Sequence, residues 1–170
     1  MFYERILKEL GRQKIKYLVV GGLAVNLYGY DRITGDLDII LLMTDANVKR
    51  FIKVAEQFKL RPRVPVSLKD FAVPELRENW VKEKNMKAFT LYNPQNDAEH
   101  VDIIIDHPIN FQKAYKKRKQ IKSGGMNIAL ISLMDLIKMK KAAGRERDKV
   151  DIKALTFIKS RLGNIGEVKK

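Results

Sequence analysis

The chain has 170 residues and a mass of 19.7 kDa, which suits one compact domain in which helices cover a sheet. Hydrophobic residues at 45% exclude a disordered tail, and the absence of cysteine excludes disulfides, thiolate metal sites and cysteine nucleophiles. Thirty-four Lys and Arg against 20 Asp and Glu leave a net charge of +14, which points to a polyanionic partner, nucleic acid or nucleotide, although such charge also serves solubility alone.

No apolar run reaches the roughly 18 residues of a membrane span. The opening MFYERILKELGRQ is charged and amphipathic rather than a signal peptide. The expected setting is therefore intracellular and cytoplasmic.

In chain order, Phe2 to Gln13 has the apolar spacing of a helix, at Phe2, Ile6, Leu7 and Leu10. Lys16 to Val20 reads as a short buried strand stopped by Gly21-Gly22, after which GLAVNLYGY resumes helical character and ends near Gly29. Asp36 to Leu42 (DLDIILL) is a second strand. Asp45 is placed to cap the helix that follows, with apolar residues at Val48, Phe51, Ile52, Ala55 and Phe58. The prolines of RPRVPV exclude a central strand or a helix interior. A partly helical SLKDFAVPELRENWVKEK comes next, capped by Ser67 and limited by Pro74.

MKAFTLYN and HVDIIID then read as a hairpin around the turn-rich NPQNDAE. FQKAYKKRKQ reads as a basic helix and Met126 to Ile131 as a strand. Two closing helices, SLMDLIKMKKAAG and RERDKVDIKALTFIKSRLG, are separated by Gly144, and Gly163 is suited to the last cap. This order implies an α+β (mixed α/β) fold, a small mixed sheet flanked by helices. One domain over 1–170 is expected, with a catalytic sheet core at 1–125 and C-terminal helices at 126–170 packing on it.

The chemistry lies with the acids. Asp36 and Asp38 are two apart on a strand and project to one face. Paired carboxylates raise each other's pKa unless a cation lies between them, and Mg²⁺ prefers such oxygen ligands. Taken alone, the pair is better read as a solvated strand end with Asp36 capping the turn. Asp102 adds a third carboxylate, on the face of HVDIIID that also carries His100, Ile104 and Asp106. If the two strands are neighbours, Asp36, Asp38 and Asp102 converge as the ligands of two divalent ions. Asp106 then ends its strand, and His100 reads first as a surface loop residue, with contact to the site as the alternative. Gly21-Gly22, between strand and helix, offers backbone N–H groups to phosphate, with Arg32 and Thr34 in the turn downstream.

The run GGLAVNLYGYDRITGDLDIIL resembles the signature of the DNA polymerase β-like nucleotidyltransferase superfamily: a glycine turn, a helix, then a strand opening with Asp-x-Asp. VDIII around Asp102 is similar to that superfamily's third carboxylate. KMKKAAGRERDKVDIKAL resembles the ending of the abortive-infection (AbiEii-type) toxin branch, the matching residues being Lys140, Arg145, Asp148 and Asp151. Leu23 departs from the pattern, because many members carry Ser or Thr there, so phosphate contact falls to backbone N–H groups and Arg32. The resemblance implies a nucleotidyltransferase fold and an NTP-dependent transfer that releases pyrophosphate. Two Mg²⁺ or Mn²⁺ ions would lie on Asp36, Asp38 and Asp102, and Gly21, Gly22, Arg32, Thr34, Lys140 and Arg145 would bind the nucleotide. Lys140 would neutralise phosphate charge, with Asp148 or Asp151 orienting it or a nearby arginine. Spacing alone makes these last residues an ordinary ion-paired helix face.

The toxin likeness and the basic KAYKKRKQIK favour RNA or tRNA as acceptor, with an antitoxin protein as a further partner. DIIIDHPI is similar to the lincosamide group, so an antibiotic-modifying transferase is the alternative; a non-catalytic nucleic-acid-binding protein of this fold is the second.

Overall fold

The computed structural model describes residues 2–167. In chain order it contains α1 (Phe2–Arg12), β1 (Tyr17–Val19), α2 (Gly21–Leu27), β2 (Leu37–Leu41), α3 (Asp45–Gln57), β3 (Arg61–Pro62) and a 3-10 turn at Leu68–Ala72. There follow α4 (Pro74–Lys84), β4 (Ala88–Asn93), β5 (Asn96–Ile104), α5 (Phe111–Lys116), β6 (Lys119–Ser123), β7 (Met126–Leu130), α6 (Leu133–Ala143) and α7 (Glu146–Glu167). The seven strands form one mixed sheet in the order β3-β4-β5-β2-β1-β7-β6. This is the mixed α+β architecture expected from the sequence. Because Met126–Leu130 pairs with β1, the chain after residue 125 contributes to the sheet as well as packing helices on it.

The middle of the sheet is its most apolar part. β2 lies antiparallel to β1 and parallel to β5, with Leu37 opposite Val101, Asp38 opposite Asp102 and Ile39 opposite Ile103. Strand alternation then separates two faces. Leu37, Ile39, Val101 and Ile103 point into a core with essentially no solvent exposure. Phe89, opposite Ile103 on β4, stacks on Phe71 at 4.7 Å and on Trp80 at 5.2 Å between ring centroids, so the 3-10 turn and α4 close this face. Asp38 and Asp102 are left on the other face, side by side.

Several local expectations change. Thr44, not Asp45, is the N-cap of α3, and Asp45 occupies the first helical position, where its charge suits the helix dipole. Pro74 does not end a helix; as the first residue of α4 it begins one, since its missing N–H is unneeded there. The β4–β5 hairpin is tighter than NPQNDAE suggested, because Asn96–Glu99 already belong to β5. RPRVPV supplies only the two-residue edge strand β3.

The basic helix stops at Lys116, and residues Lys119–Ser123 form the opposite edge strand β6. Four consecutive cations, Lys116 to Lys119, oppose further winding. Gly124 and Gly125, both at positive φ (54° and 75°), make the two-residue turn that returns the chain as β7. Gly144 adopts the left-handed C-cap of α6 as expected, but α7 continues through Gly163 to Glu167. No described helix is long and apolar enough to cross a membrane.

Candidate active site

A cavity of about 550 Å³ opens at the end of the sheet where β1 delivers Gly21 and β2 begins. Its lining includes Gly21, Gly22, Arg32, Thr34, Asp36, Asp38, Asp102, Lys140, Arg145 and Asp148. Residues spread over more than one hundred positions of the sequence thus meet at one place. A smaller hollow of about 360 Å³ beside Lys59, Arg61 and Asn93 shows no such convergence.

The parallel β2–β5 register sets Asp38 against Asp102. Asp38 is held above its ordinary pKa, first by burial and next by the Asp102 charge, with Asp36 adding; the Gly22 N–H and Arg145 act the other way. Oδ1 of Asp102 is buried and has no hydrogen-bond partner. Asp36, one residue before β2, is drawn aside: its Oδ1 lies 2.9 Å from His100 Nε2. His100 is therefore a residue of β5, one register step before Asp102, and not a loop residue.

Among the described residues, no three His, Asp or Glu side chains already stand as a cation cage. The donor set nonetheless fits a hard divalent ion. Two adjacent carboxylates, one with an orphaned buried oxygen and the other resisting ionisation, lack the positive charge that would stabilise both, and a third lies next to them.

The glycine turn serves this cluster closely. Gly21 adopts φ +65°, and a β-carbon there would lie 1.7 Å from Asp38 Oδ2. Only a residue without a side chain allows Asp38 this position. A β-carbon on Gly22 would meet Thr34 Oγ1 at 2.6 Å and the Arg32 guanidinium carbon at 3.4 Å. Thr34 and Arg32 thus lie directly over the turn. Asn26, which sequence reasoning passed over, fixes this loop: it donates to the Arg32 carbonyl at 2.9 Å and accepts from the Arg32 N–H at 3.2 Å.

The same cavity holds a second charged group of different character. Lys140, 5% exposed, donates to Asp148 Oδ1 at 3.1 Å and to Asp151 Oδ2 at 2.6 Å. Asp151 also accepts from Arg32 Nη1 at 2.6 Å, and Asp148 from Arg145 Nε at 2.9 Å. Burial on its own would raise the Asp148 pKa, but hydrogen bonds from Arg145 and Lys140 outweigh it and hold the carboxyl below its ordinary value. Asp151 is buried behind Arg32 and does not line the cavity. Lys140 is thus enclosed by its two partners, while the two arginines, especially the half-exposed Arg145, retain access to the cavity.

The lining also includes residues that were not singled out as site residues. Lys87 pairs with Asp106, which lies beyond the end of β5, and Arg147 and His107 complete the rim. Arg147, next to the Arg145 motif, and Asp106 and His107, within DIIIDHPI, had a nearby sequence signal; Lys87 had none.

The fold is shared with solved structures. A lincosamide antibiotic adenylyltransferase, LnuA in its lincomycin-bound form, matches with a TM-score of 0.61 at 18% identity, over 92% of this chain and 96% of its own. The antibiotic-resistance factor ANT(2'')-Ia matches at 0.56 and 13% identity, over 96% and 83%. TM1012 of Thermotoga maritima, assigned as a nucleotidyltransferase, matches at 0.56 and 16% identity, over 89% and 88%. A comparison with curated proteins found no match. The model of the family described as "Nucleotidyltransferase of unknown function (DUF6036)" matches residues 3–162, and the chain belongs to that nucleotidyltransferase family.

Proposed function

We propose that this protein moves a nucleoside monophosphate from a nucleoside triphosphate to an acceptor hydroxyl on RNA, releasing pyrophosphate. The observation that carries the reading is the convergence of Asp38, Asp102 and Asp36 with two carboxylate-held arginines around one cavity. Asp38 and Asp102 would hold Mg²⁺ or Mn²⁺, with Asp36 joining them on leaving His100. Bound there, two such ions would supply Lewis-acid activation of the acceptor and charge for the leaving pyrophosphate.

The residues divide the remaining work. Arg32 and Arg145 face the triphosphate, each oriented by an aspartate. Asp102 would accept the acceptor's proton at a carboxylate oxygen not engaged by an ion. The acceptor oxygen bonds to the α-phosphorus as the bond to the bridging oxygen breaks, and that oxygen leaves with the electron pair in pyrophosphate. Gly21 and Gly22 keep Asp38 in place and admit the phosphates close to the backbone. Thr34 shapes the same turn. Lys140 acts through the two aspartates rather than on phosphate directly, which its burial favours.

A second reading has a small hydroxyl compound as acceptor. The cavity volume lies within the usual range for small-ligand sites, and structural neighbours include a lincomycin-bound adenylyltransferase. The net charge of +14 favours RNA over a cationic drug. The likeness to abortive-infection toxins suggests an antitoxin partner, and dependence on a nucleoside triphosphate suits the cytoplasm; neither changes the chemistry.

The test incubates the protein with Mg²⁺, each α-labelled nucleoside triphosphate and total RNA, with lincosamide and aminoglycoside acceptors in parallel. RNA should be labelled, and Asp38→Ala should reduce labelling by at least ~10²–10³-fold, the scale of losing one main electrostatic contributor. Label on a drug alone replaces RNA with the second reading. Salt-sensitive RNA binding without label on any acceptor, for any nucleotide, overturns transfer and leaves a binding protein.

A further inference from the structure

The segment from His107 to Met134 holds six Lys and Arg residues and no Asp or Glu. They are Lys113, Lys116, Lys117, Arg118, Lys119 and Lys122, at the end of α5 and along the sheet edge β6. All but the partly buried Arg118 are exposed. Among the described residues none of the six pairs with a carboxylate. Edge strands often carry lysine to block pairing with other chains, and cations suit a helix C-terminus. Those uses account for Lys119, Lys122 and Lys116. Lys117 is the C-cap of α5 and Arg118 donates to the Tyr115 carbonyl at 2.6 Å, so the helix end engages them too; what these uses leave unexplained is the lack of a single balancing acid.

Strand register locates this cluster relative to the cavity. Val19, the last residue of β1, is paired with Leu130, and Leu130 is paired with Lys119. β1 and β7 are parallel and β6 is antiparallel to β7. The start of β6 therefore lies at the same end of the sheet as the glycine turn. Two interstrand spacings, about 10 Å in all, separate it from β1. Lys116 to Arg118 precede that start and so lie at the same end.

The cations there rest on rings. The Arg118 guanidinium is 3.9 Å from the Tyr115 ring centroid and the Lys119 ammonium 5.5 Å from that of Tyr28. Tyr28 caps the C-terminus of α2, the helix that Gly21 opens, and its hydroxyl is anchored to the Ile131 carbonyl at 2.7 Å. Held cations beside aromatic faces suit a chain of phosphates and bases. A membrane surface suits them less, because among the exposed large apolar side chains of the described residues only Met134, at the far end of the segment, lies within it.

We infer that the end of α5 and the start of β6 form the track on which a single-stranded RNA acceptor lies while its reacting hydroxyl enters the cavity. The inference rests on the transferase reading above and adds the place and chemistry of acceptor recognition.

The experiment compares wild type, the triple variant Lys116→Glu/Lys117→Glu/Lys119→Glu and Asp38→Ala. Each is tested for binding of fluorescent single-stranded RNA of mixed sequence over a salt series and for transfer kinetics. Circular dichroism and NTP binding confirm that the triple variant is folded. It should bind RNA at least about tenfold more weakly, and its log–log salt slope should be shallower by about 2, the value for three lost phosphate contacts on a single strand. KM for RNA should rise with kcat retained, whereas Asp38→Ala should bind RNA and fail to transfer. Wild-type RNA affinity and salt slope in the triple variant overturn the track and leave the transferase reading standing. RNA binding lost in the triple variant, with no RNA labelled by wild type, keeps the surface and removes the transfer to RNA. Equal binding of phosphatidylserine vesicles or polyglutamate, equally lost in the triple variant, also overturns the proposal.

Discussion

The two charged groups at the cavity are built on opposite terms. Asp36, Asp38 and Asp102 are neighbouring carboxylates: Asp38 resists ionisation, one Asp102 oxygen has no hydrogen-bond partner, and Asp36 turns to His100. Lys140, Asp148, Asp151, Arg32 and Arg145 are fully interlocked by hydrogen bonds of 2.6 to 3.1 Å. Buried charge is tolerated only when paired. The satisfied group therefore behaves as framework. The unsatisfied one carries an electrostatic cost that a bound cation would relieve. Lys140 is the most buried cation lining the cavity, and it donates to both aspartates.

The largest expected effect tests the framework half. Lys140→Ala leaves two buried aspartates short of a counter-ion and should cost about 3–5 kcal/mol in chemical denaturation. A loss of activity with unchanged stability would instead make Lys140 a direct substrate contact. Asp148→Asn should destabilise less, by about 1.5–3 kcal/mol at neutral pH, through weakened bonds from Lys140 and Arg145.

That difference has a definite pH sign. Because Asp148 is held below its ordinary value of 3.8 in the fold, its contribution is present above 3.8 and is lost as the pH falls through the lowered value. Denaturation of variant and wild type should therefore converge in acid.

The smallest effect goes the other way. Asp38→Asn, measured in chelator, should raise Tm by about 2–4 °C, equivalent to about 1 kcal/mol at this size. Here the folded pKa is raised, so the wild type's stability is greatest with Asp38 protonated and declines as pH rises through that value. The advantage of the variant should accordingly shrink toward low pH. A destabilised Asp38→Asn in the absence of metal would erase the contrast between the groups.

How much of this the chain discloses in advance depends on the distance over which each feature is determined. Strand alternation is local, so DLDIILL and HVDIIID already showed which face Asp38 and Asp102 occupy. Their adjacency depends on the parallel pairing of β2 with β5, which no local pattern specifies. The attraction of Asp36 to His100 and the bracing of Arg32 by Asn26 were illegible for the same reason. β6 was legible in principle: Gly124-Gly125 between Ile121 and Ile128 is a hairpin signal, obscured by a run of lysines that resembled a helix face. The enclosure of Lys140 could not be read, because spacing along α7 places Asp148 and Asp151 together without saying whether solvent or a lysine lies between them.

The bond between Arg32 and Asp151 spans 119 residues. During synthesis from the N-terminus, the carboxylate strands emerge well before the first turns of α7 do. A nascent chain therefore displays Asp36, Asp38 and Asp102 while Arg32 has nothing to aim it and Arg145 is still to come. A chain cut short before residue 151 would carry all three acids but leave Arg32 without its aspartate partner.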